Sequence, residues 1–166
     1  DLVTKLFVNP GDVVLAEAPS YVGALGVFRS YQAEVAHVLM DDEGIIPESL
    51  RETIANLRAA GKSIKLLYTI PNFQNPTGVT MSFARRAEVL EIARSNDILV
   101  LEDNPYGLLH FGTPAPHAMR SLDDDGVVYL GTFSKTLAPG LRVGWALAPH
   151  GIREKLILAA EAAILS

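Results

Sequence analysis

The sequence predicts an α/β domain: a mostly parallel sheet with helices on both faces, closed by a last strand that runs antiparallel. Three features point there. Short apolar runs of strand length recur along the 166 residues, and amphipathic stretches of helix length lie between them. Most of the runs open into loops rich in Pro, Gly and Asn. A strand covered on both faces has no solvent side, so it reads as an unbroken apolar run, and parallel strands need a crossover of helical length to join them.

In chain order, Asp1 to Val8 reads as the tail of a helix stopped by Asn9-Pro10-Gly11-Asp12, with no capping residues before it. Asp12–Ala16 is a first strand, and Tyr21 to about Tyr31 a helix. Val35–Met40 is a second strand. The helix that follows runs from Pro47, a residue suited to the first turn, to Ala60, and stops at Gly61. Ser63–Ile70 is the third strand. Ser82 then caps a helix reaching about Ser95, with Ala84, Ala87, Leu90 and Ile92 expected towards the core. Ile98–Leu101 and Val127–Leu130 are two further strands, separated by the charged turn Asp123–Gly126 among other loop residues. Val143–Ala148 follows by a loop too short for a crossover helix, hence the antiparallel assignment. Ile152 to Ser166 is an amphipathic helix without a closing Gly or Pro, so both ends are expected to be cut from a longer protein.

Composition narrows the function classes. Hydrophobic residues make up 49% and charged residues 20%, which fits an ordered globular chain. Lys and Arg number 14 against 19 Asp and Glu, a formal charge of −5 that argues against a nucleic-acid-binding surface. With no cysteine there is no disulfide, zinc-thiolate site or thiol catalysis. The four histidines, His37, His110, His117 and His150, lack the i, i+4 pairing of a zinc-binding helix, so no metal site is expected. No apolar run approaches the roughly 18 residues of a membrane span. The expectation is a cytoplasmic domain with no nucleic-acid or membrane partner.

In an open α/β sheet, ligands sit beyond the carboxyl ends of the strands. Four polar loops fall on that rim: Glu17–Tyr21, Pro71–Gly78, Glu102–Gly107 and Gly131–Arg142. Thr132, Ser134 and Arg142 offer two hydroxyls and a forked cation, which suits a phosphate dianion. Lys135 lies between them, and a lysine beside another cation in a partly desolvated site can form a Schiff base with a carbonyl. Asp103 follows a fully apolar strand, a costly place for a carboxylate unless it meets a cation, and Tyr106 adds a phenol three residues on. A carbonyl, a phosphate and a protonatable ring nitrogen together describe pyridoxal phosphate. Each residue also has a plainer reading. Asp103 suits a helix N-cap, Asn75 a turn before Pro76, Arg142 a sheet-edge ion pair, and Tyr21 core packing. Tyr68, at a strand end near the site, is expected to pack without a catalytic role, and Glu48, Arg51 and Glu52 to form a solvated helix face.

Asn75-Pro76-Thr77-Gly78, then Asp103-Asn104-Pro105-Tyr106, then Ser134-Lys135 with Arg142 seven residues beyond the lysine form a specific series. In these motifs, and along essentially the whole chain, the sequence resembles the large domain of fold type I pyridoxal-phosphate aminotransferases of class I/II. It is most similar to the 2-aminoadipate/kynurenine branch. The resemblance implies roles residue by residue. Lys135 would carry the cofactor as a Schiff base and move the proton once released. Asp103 would keep the pyridine nitrogen protonated, and Asn75 and Tyr106 would bond the phenolic oxygen. Tyr21 would stack on the ring, and Thr132, Ser134 and Arg142 would hold the phosphate.

The resemblance also implies that residues 1–166 are a partial large cofactor-binding domain. A phosphate-binding turn would lie before Asp1, and a small domain carrying the substrate-carboxylate arginine after Ser166, so the segment alone is expected to be inactive. The whole protein would be a homodimer passing an amino group from an amino acid to a 2-oxo acid, 2-oxoglutarate being the expected acceptor. The alternatives are a lyase acting through the same cofactor and a cofactor-sensing domain of a transcription regulator.

Overall fold

The computed structural model describes residues 1–110, 112, 114 and 116–163. Its elements run α1 (Leu2–Phe7), β1 (Val13–Ala18), α2 (Val22–Ser30), β2 (Glu34–Asp41), β3 (Gly44–Ile45), α3 (Pro47–Ala59), β4 (Ile64–Thr69), α4 (Phe83–Arg94), β5 (Leu99–Asp103), β6 (Val127–Thr132), β7 (Gly144–Leu147) and α5 (His150–Ala163). They form one seven-stranded sheet of order β3-β2-β1-β4-β5-β6-β7. β2, β1, β4, β5 and β6 are parallel neighbours, and β7 is antiparallel to β6, as the short connection demands. The unexpected element is β3, two residues that turn back antiparallel on β2 through Gly44 at φ 101°. The helix expected to run to Ser166 is seen as α5, and residues 164–166 lie outside the described ones. Among the described residues, no helix is long and apolar enough to cross a membrane.

Side chains alternate across each strand, and the two faces build two cores. Val13, Leu15, Leu67, Val100 and Val127 point to one face, covered by Leu50 and Ile54 of α3 and Val89, Leu90, Ile92 and Ala93 of α4. Val14, Ala16, Leu66, Tyr68, Leu101 and Val128 point to the other, covered by Val3 of α1, Phe28 of α2 and Leu156 of α5. The phase of α4 differs from the sequence expectation. Leu90 and Ile92 are buried, but Ala84 and Ala87 face solvent and Arg86 takes the core position one turn before them. Ser82 caps this helix by accepting from the Arg85 amide at 3.3 Å.

The strand order, not the strand direction, reverses between the parallel neighbours β1 and β4: β1 leads outward to β2, while β4 leads the other way to β5. That switch point is where parallel sheets open a crevice for ligands. The loop 71–81 fills one side of it and is held from below by two buried polar groups. Arg86, fully buried, donates to the carbonyls of Met81 (3.0 Å), Pro71 (2.9 Å) and His117 (2.8 Å), and to Asn72 Oδ1 (2.6 Å). Asn72 in turn donates to Asn104 Oδ1 at 3.1 Å, so one guanidinium ties α4 to the loops after β4 and β5. Glu17, also fully buried, accepts from Thr69 Oγ1, the Ile70 amide (3.2 Å) and Gln74 Nε2 (3.0 Å). Burial lifts its pKa to about 7 against the pull of those donors.

At the far side, Gly131 of β6 faces Trp145 of β7, and a Cβ there would sit 2.3 Å from the indole. Glycine therefore lets the indole cross β6 and meet Phe133, ring centroids 4.8 Å apart, at the start of the loop that carries Lys135.

Two outcomes follow from the buried groups. Arg86→Met leaves at least four carbonyl-type acceptors without their donor, and a loss of about 3–5 kcal/mol is expected in urea unfolding, with the denaturant slope unchanged. Arg86→Lys recovers only part, because one ammonium cannot span the same fork of acceptors. For Glu17, the folded chain keeps its proton up to about pH 7, whereas the unfolded chain releases it near 4.5. Stability therefore falls as pH climbs between those values, by on the order of 3 kcal/mol, and is level above them. Glu17→Gln is expected to flatten that slope in unfolding curves taken from pH 4.5 to pH 8.

Candidate active site

Five of the eight residues singled out in the sequence converge on one cavity. A recess of about 230 Å³ at the carboxyl edge of β4 and β5 is lined by Tyr21, Ile70, Asn75, Asp103, Pro105, Tyr106 and Lys135. Tyr21 comes from the entrance to α2, Asn75 from the loop after β4, Asp103 from the last position of β5, Tyr106 from the turn beyond it, and Lys135 from the loop after β6. Four segments far apart in sequence meet there because their strands end on the same edge. Asp103 is a strand end and no helix starts from it, so the N-cap reading does not apply. A wider recess of about 470 Å³ continues past Asn75 and Tyr106 between Phe73, Pro76, Gly78 and Leu109.

The three residues assigned to phosphate stand outside the wall of the smaller cavity, on the loop that carries Lys135. Thr132 is engaged with its own turn. Its Oγ1 accepts from the Ser134 amide at 3.0 Å and lies 3.0 Å from Ser134 Oγ and 3.1 Å from the Val143 carbonyl. Arg142 is exposed, in a left-handed conformation at φ 52°, with Nη1 3.4 Å from the Pro139 carbonyl. Thr132 and Ser134 are thus adjacent, and Arg142 stands at the far end of the same loop.

Asp103 is the electrostatic focus of the cavity. Burial pushes its pKa up, and the Tyr68 hydrogen bond opposes this. Among the described residues no ion pair neutralises it. Its one side-chain partner there is the Tyr68 hydroxyl, which donates to Oδ2 at 2.7 Å. Tyr68 does pack, as expected: it is 2% exposed and meets the edge of Phe28, centroids 5.4 Å apart. Its polar contact with Asp103 was not foreseen. Register explains it, since Tyr68 is paired with Leu101 and Asp103 is the next residue on the same face. Glu102, one residue earlier, points to the opposite face and accepts from the Met119 and Arg120 amides, both at 3.0 Å. Burial raises its pKa, and those two amides offset part of the rise.

Three other structural roles were missed in the sequence: Arg86, Glu17 with Gln74, and the Asn72–Asn104 link. A signal existed for the first, because Arg86, Val89, Leu90 and Ala93 fall at i, i+3, i+4 and i+7 on one helical face. Among the described residues, no cluster of His, Asp and Glu forms a metal site. The solvated face around Glu48 and Arg51 is as expected, with an exposed pair at 2.9 Å.

A half-buried carboxylate facing a cavity, an amide and a phenol beside it, and an amine across it suit a ligand with a cationic ring nitrogen and an electrophilic carbon. The residues present fit pyridoxal phosphate in this respect. Comparison with known proteins points the same way. The sequence matches the family described as aminotransferase class I and II over residues 1–166. It is 47% identical over 156 residues to aromatic-amino-acid aminotransferase 1 of Thermococcus litoralis, covering 93% of this chain and 37% of that protein. It is 36% identical over 163 residues to the mitochondrial kynurenine/alpha-aminoadipate aminotransferase of Bos taurus, covering 94% and 38%. The crystal structure of a kynurenine aminotransferase from Pyrococcus horikoshii, in complex with PMP, superposes with a TM-score of 0.91 at 43% identity, covering 97% and 40%. The chain therefore spans about two-fifths of the length of these relatives. By sequence and by fold, it belongs to the class I and II aminotransferases.

Proposed function

We propose that this chain is the cofactor-binding part of a pyridoxal-phosphate-dependent aminotransferase that moves an amino group from an amino acid to a 2-oxo acid. The observation that carries the reading is the meeting of Lys135, Asp103, Asn75, Tyr106 and Tyr21 around one cavity, with Asp103 lacking a cationic partner among the described residues. Bound there, pyridoxal phosphate supplies an electron sink for the charge that develops at the substrate α-carbon.

The chain's own residues divide the remaining work. Lys135 Nζ would hold the cofactor through its aldehyde carbon, with loss of water, and as a free amine would take and return the α-proton. Asp103, an anion on the cavity wall, favours the protonated ring nitrogen over the neutral one. The Asn75 amide and the Tyr106 hydroxyl bond the phenolic oxygen, and the Tyr21 ring covers one face. Ser134 and Arg142 hold the phosphate, with Thr132 bracing Ser134 through its amide. The similarity to kynurenine, aminoadipate and aromatic aminotransferases supports an amino acid with a large side chain as donor, and we take 2-oxoglutarate as the acceptor. The site that binds the substrate carboxylate is proposed to come from the rest of a longer protein, which would pair with a second copy as a homodimer, so the segment alone is not expected to turn over.

Cofactor attachment tests the reading directly. Incubation with pyridoxal phosphate, reduction with borohydride and peptide mapping by mass spectrometry should place the pyridoxyl group on Lys135 in preference to the other lysines. Lys135→Ala should abolish that label, and label spread evenly over surface lysines in the full-length protein would refute the assignment. Single-turnover reaction of the full-length protein with an aromatic amino acid should then yield the 2-oxo acid with the nitrogen retained on the protein. Release of ammonia would instead identify a lyase.

A further inference from the structure

Tyr68 is placed where packing alone asks for a ring and nothing more. Its neighbours are Leu66, Ile70, Leu101 and Val128, and Phe28 meets it edge-on at 71°. Phenylalanine would fill that space equally well. The hydroxyl instead crosses from β4 to the end of β5 and donates to Asp103 Oδ2 at 2.7 Å. Burial, together with the charges of Asp103 and Glu17, pushes Tyr68 ionisation far above the ordinary phenol range, so the group stays a donor at any working pH. A donor that cannot switch and a ring that cannot rotate away define one orientation for the carboxylate.

We propose that Tyr68 is a positioning residue of this site: its hydroxyl occupies Oδ2 of Asp103 and leaves Oδ1 as the oxygen offered to a ring nitrogen in the cavity. This rests on the reading of Asp103 as the partner of that nitrogen. Asp103 lies at the junction of two recesses. One, of about 260 Å³, is walled by Tyr68, Phe28, Thr4 and Val27, and the other, of about 230 Å³, by Asn75, Tyr106 and Lys135. The hydroxyl sits on the first side, so the oxygen it leaves unbonded among the described residues is the one available to the second. The same bond also favours the ionised carboxylate, against a burial that opposes it. The other charged or titratable side chains near Asp103 are Asp1 ahead of α1, Tyr21 at the entrance to α2, Glu17 from β1, Tyr129 from β6, Tyr106 from its own turn and Lys135 from the loop after β6. Among the described residues, Tyr68 is the one of these that hydrogen-bonds the carboxylate.

Carboxyl ¹³C NMR titration of the full-length protein without cofactor, with the Asp103 signal assigned through Asp103→Asn, tests this. Tyr68→Phe is expected to raise the Asp103 midpoint by roughly one unit, the loss of one hydrogen bond to a charged group. Phe28→Leu loosens the same packing without touching the hydroxyl and should leave the midpoint in place. Equal shifts in both variants, or none in either, would overturn the proposal. If Tyr68→Phe does not fold, 3-fluorotyrosine at position 68 keeps the shape and strengthens the donor. It should lower the midpoint, and an unchanged midpoint counts against the role. Pyridoxal phosphate labelled with ¹⁵N in the ring, bound to the full-length protein, separates the two layers of argument. A ring signal unmoved by Asp103→Asn would refute the underlying reading. A signal moved by Asp103→Asn and not by Tyr68→Phe would refute the part assigned to Tyr68 alone.

Discussion

Carboxylates drawn in at the ends of parallel strands govern this structure. Glu17 at the end of β1 and Glu102 in β5 are fully buried and Asp103, the last residue of β5, is half-buried, with β4 between the two strands. A carboxylate removed from water costs several kcal/mol unless donors replace its hydration. Each of the three meets that cost differently. Glu102 takes two backbone amides from the segment after the β5 loop, and Glu17 takes a hydroxyl, an amide and a side-chain amide. Asp103 takes a single phenol and remains open to a cavity. The first two are therefore finished structural groups, and the third has capacity left for a ligand.

The two faces of the sheet share this labour. On the face of α3 and α4, Glu17 and Arg86 grip the loop 71–81 from below, and Asn72 passes that grip to Asn104. The backbone that presents Asn75, Asp103 and Tyr106 is thereby fixed by groups that never touch the cavity. On the opposite face, the aromatic pair Phe28 and Tyr68 forms a floor whose one polar atom is aimed at Asp103. A site built on strand ends and braced from outside can hold its geometry before a ligand arrives.

Most of the sheet was legible in the sequence because a strand buried on both faces leaves an unbroken apolar run, as in Val13–Ala16, Ile98–Leu101 and Val127–Leu130, and such runs recur at spacings that leave room for crossover helices. The site loops were legible for a related reason: Pro, Asn and Gly clusters at strand ends have no packing role to explain them. What escaped was everything that depends on register. Tyr68 and Asp103 are 35 residues apart, and their contact exists only because β4 and β5 pair with Tyr68 opposite Leu101. Glu17 and Gln74 meet for the same kind of reason across 57 residues. Arg86 was hidden by a phase error of one residue: two consecutive arginines look equally solvated until the partners Val89 and Ala93 fix which one turns inward.

The arrangement constrains its ligand independently of any likeness to other proteins. The inner wall of the crevice carries the Asp103 carboxyl, while the cations Lys135 and Arg142 belong to the outer loop after β6. A simple anion would be repelled from the floor, and a simple cation would find no use for the rim. The field favours a molecule that is cationic at its buried end and anionic at its outer end, with a carbon between them that a lysine can attack. That ordering also assigns direction. On the proposed reading, a carboxylate at the deep end would favour a protonated ring nitrogen there, and so draw electron density away from the rim where Lys135 stands. Chemistry at the rim would then depend on an interaction at the floor, and the Tyr68 hydroxyl, which donates to Asp103 from the core side, would be part of it.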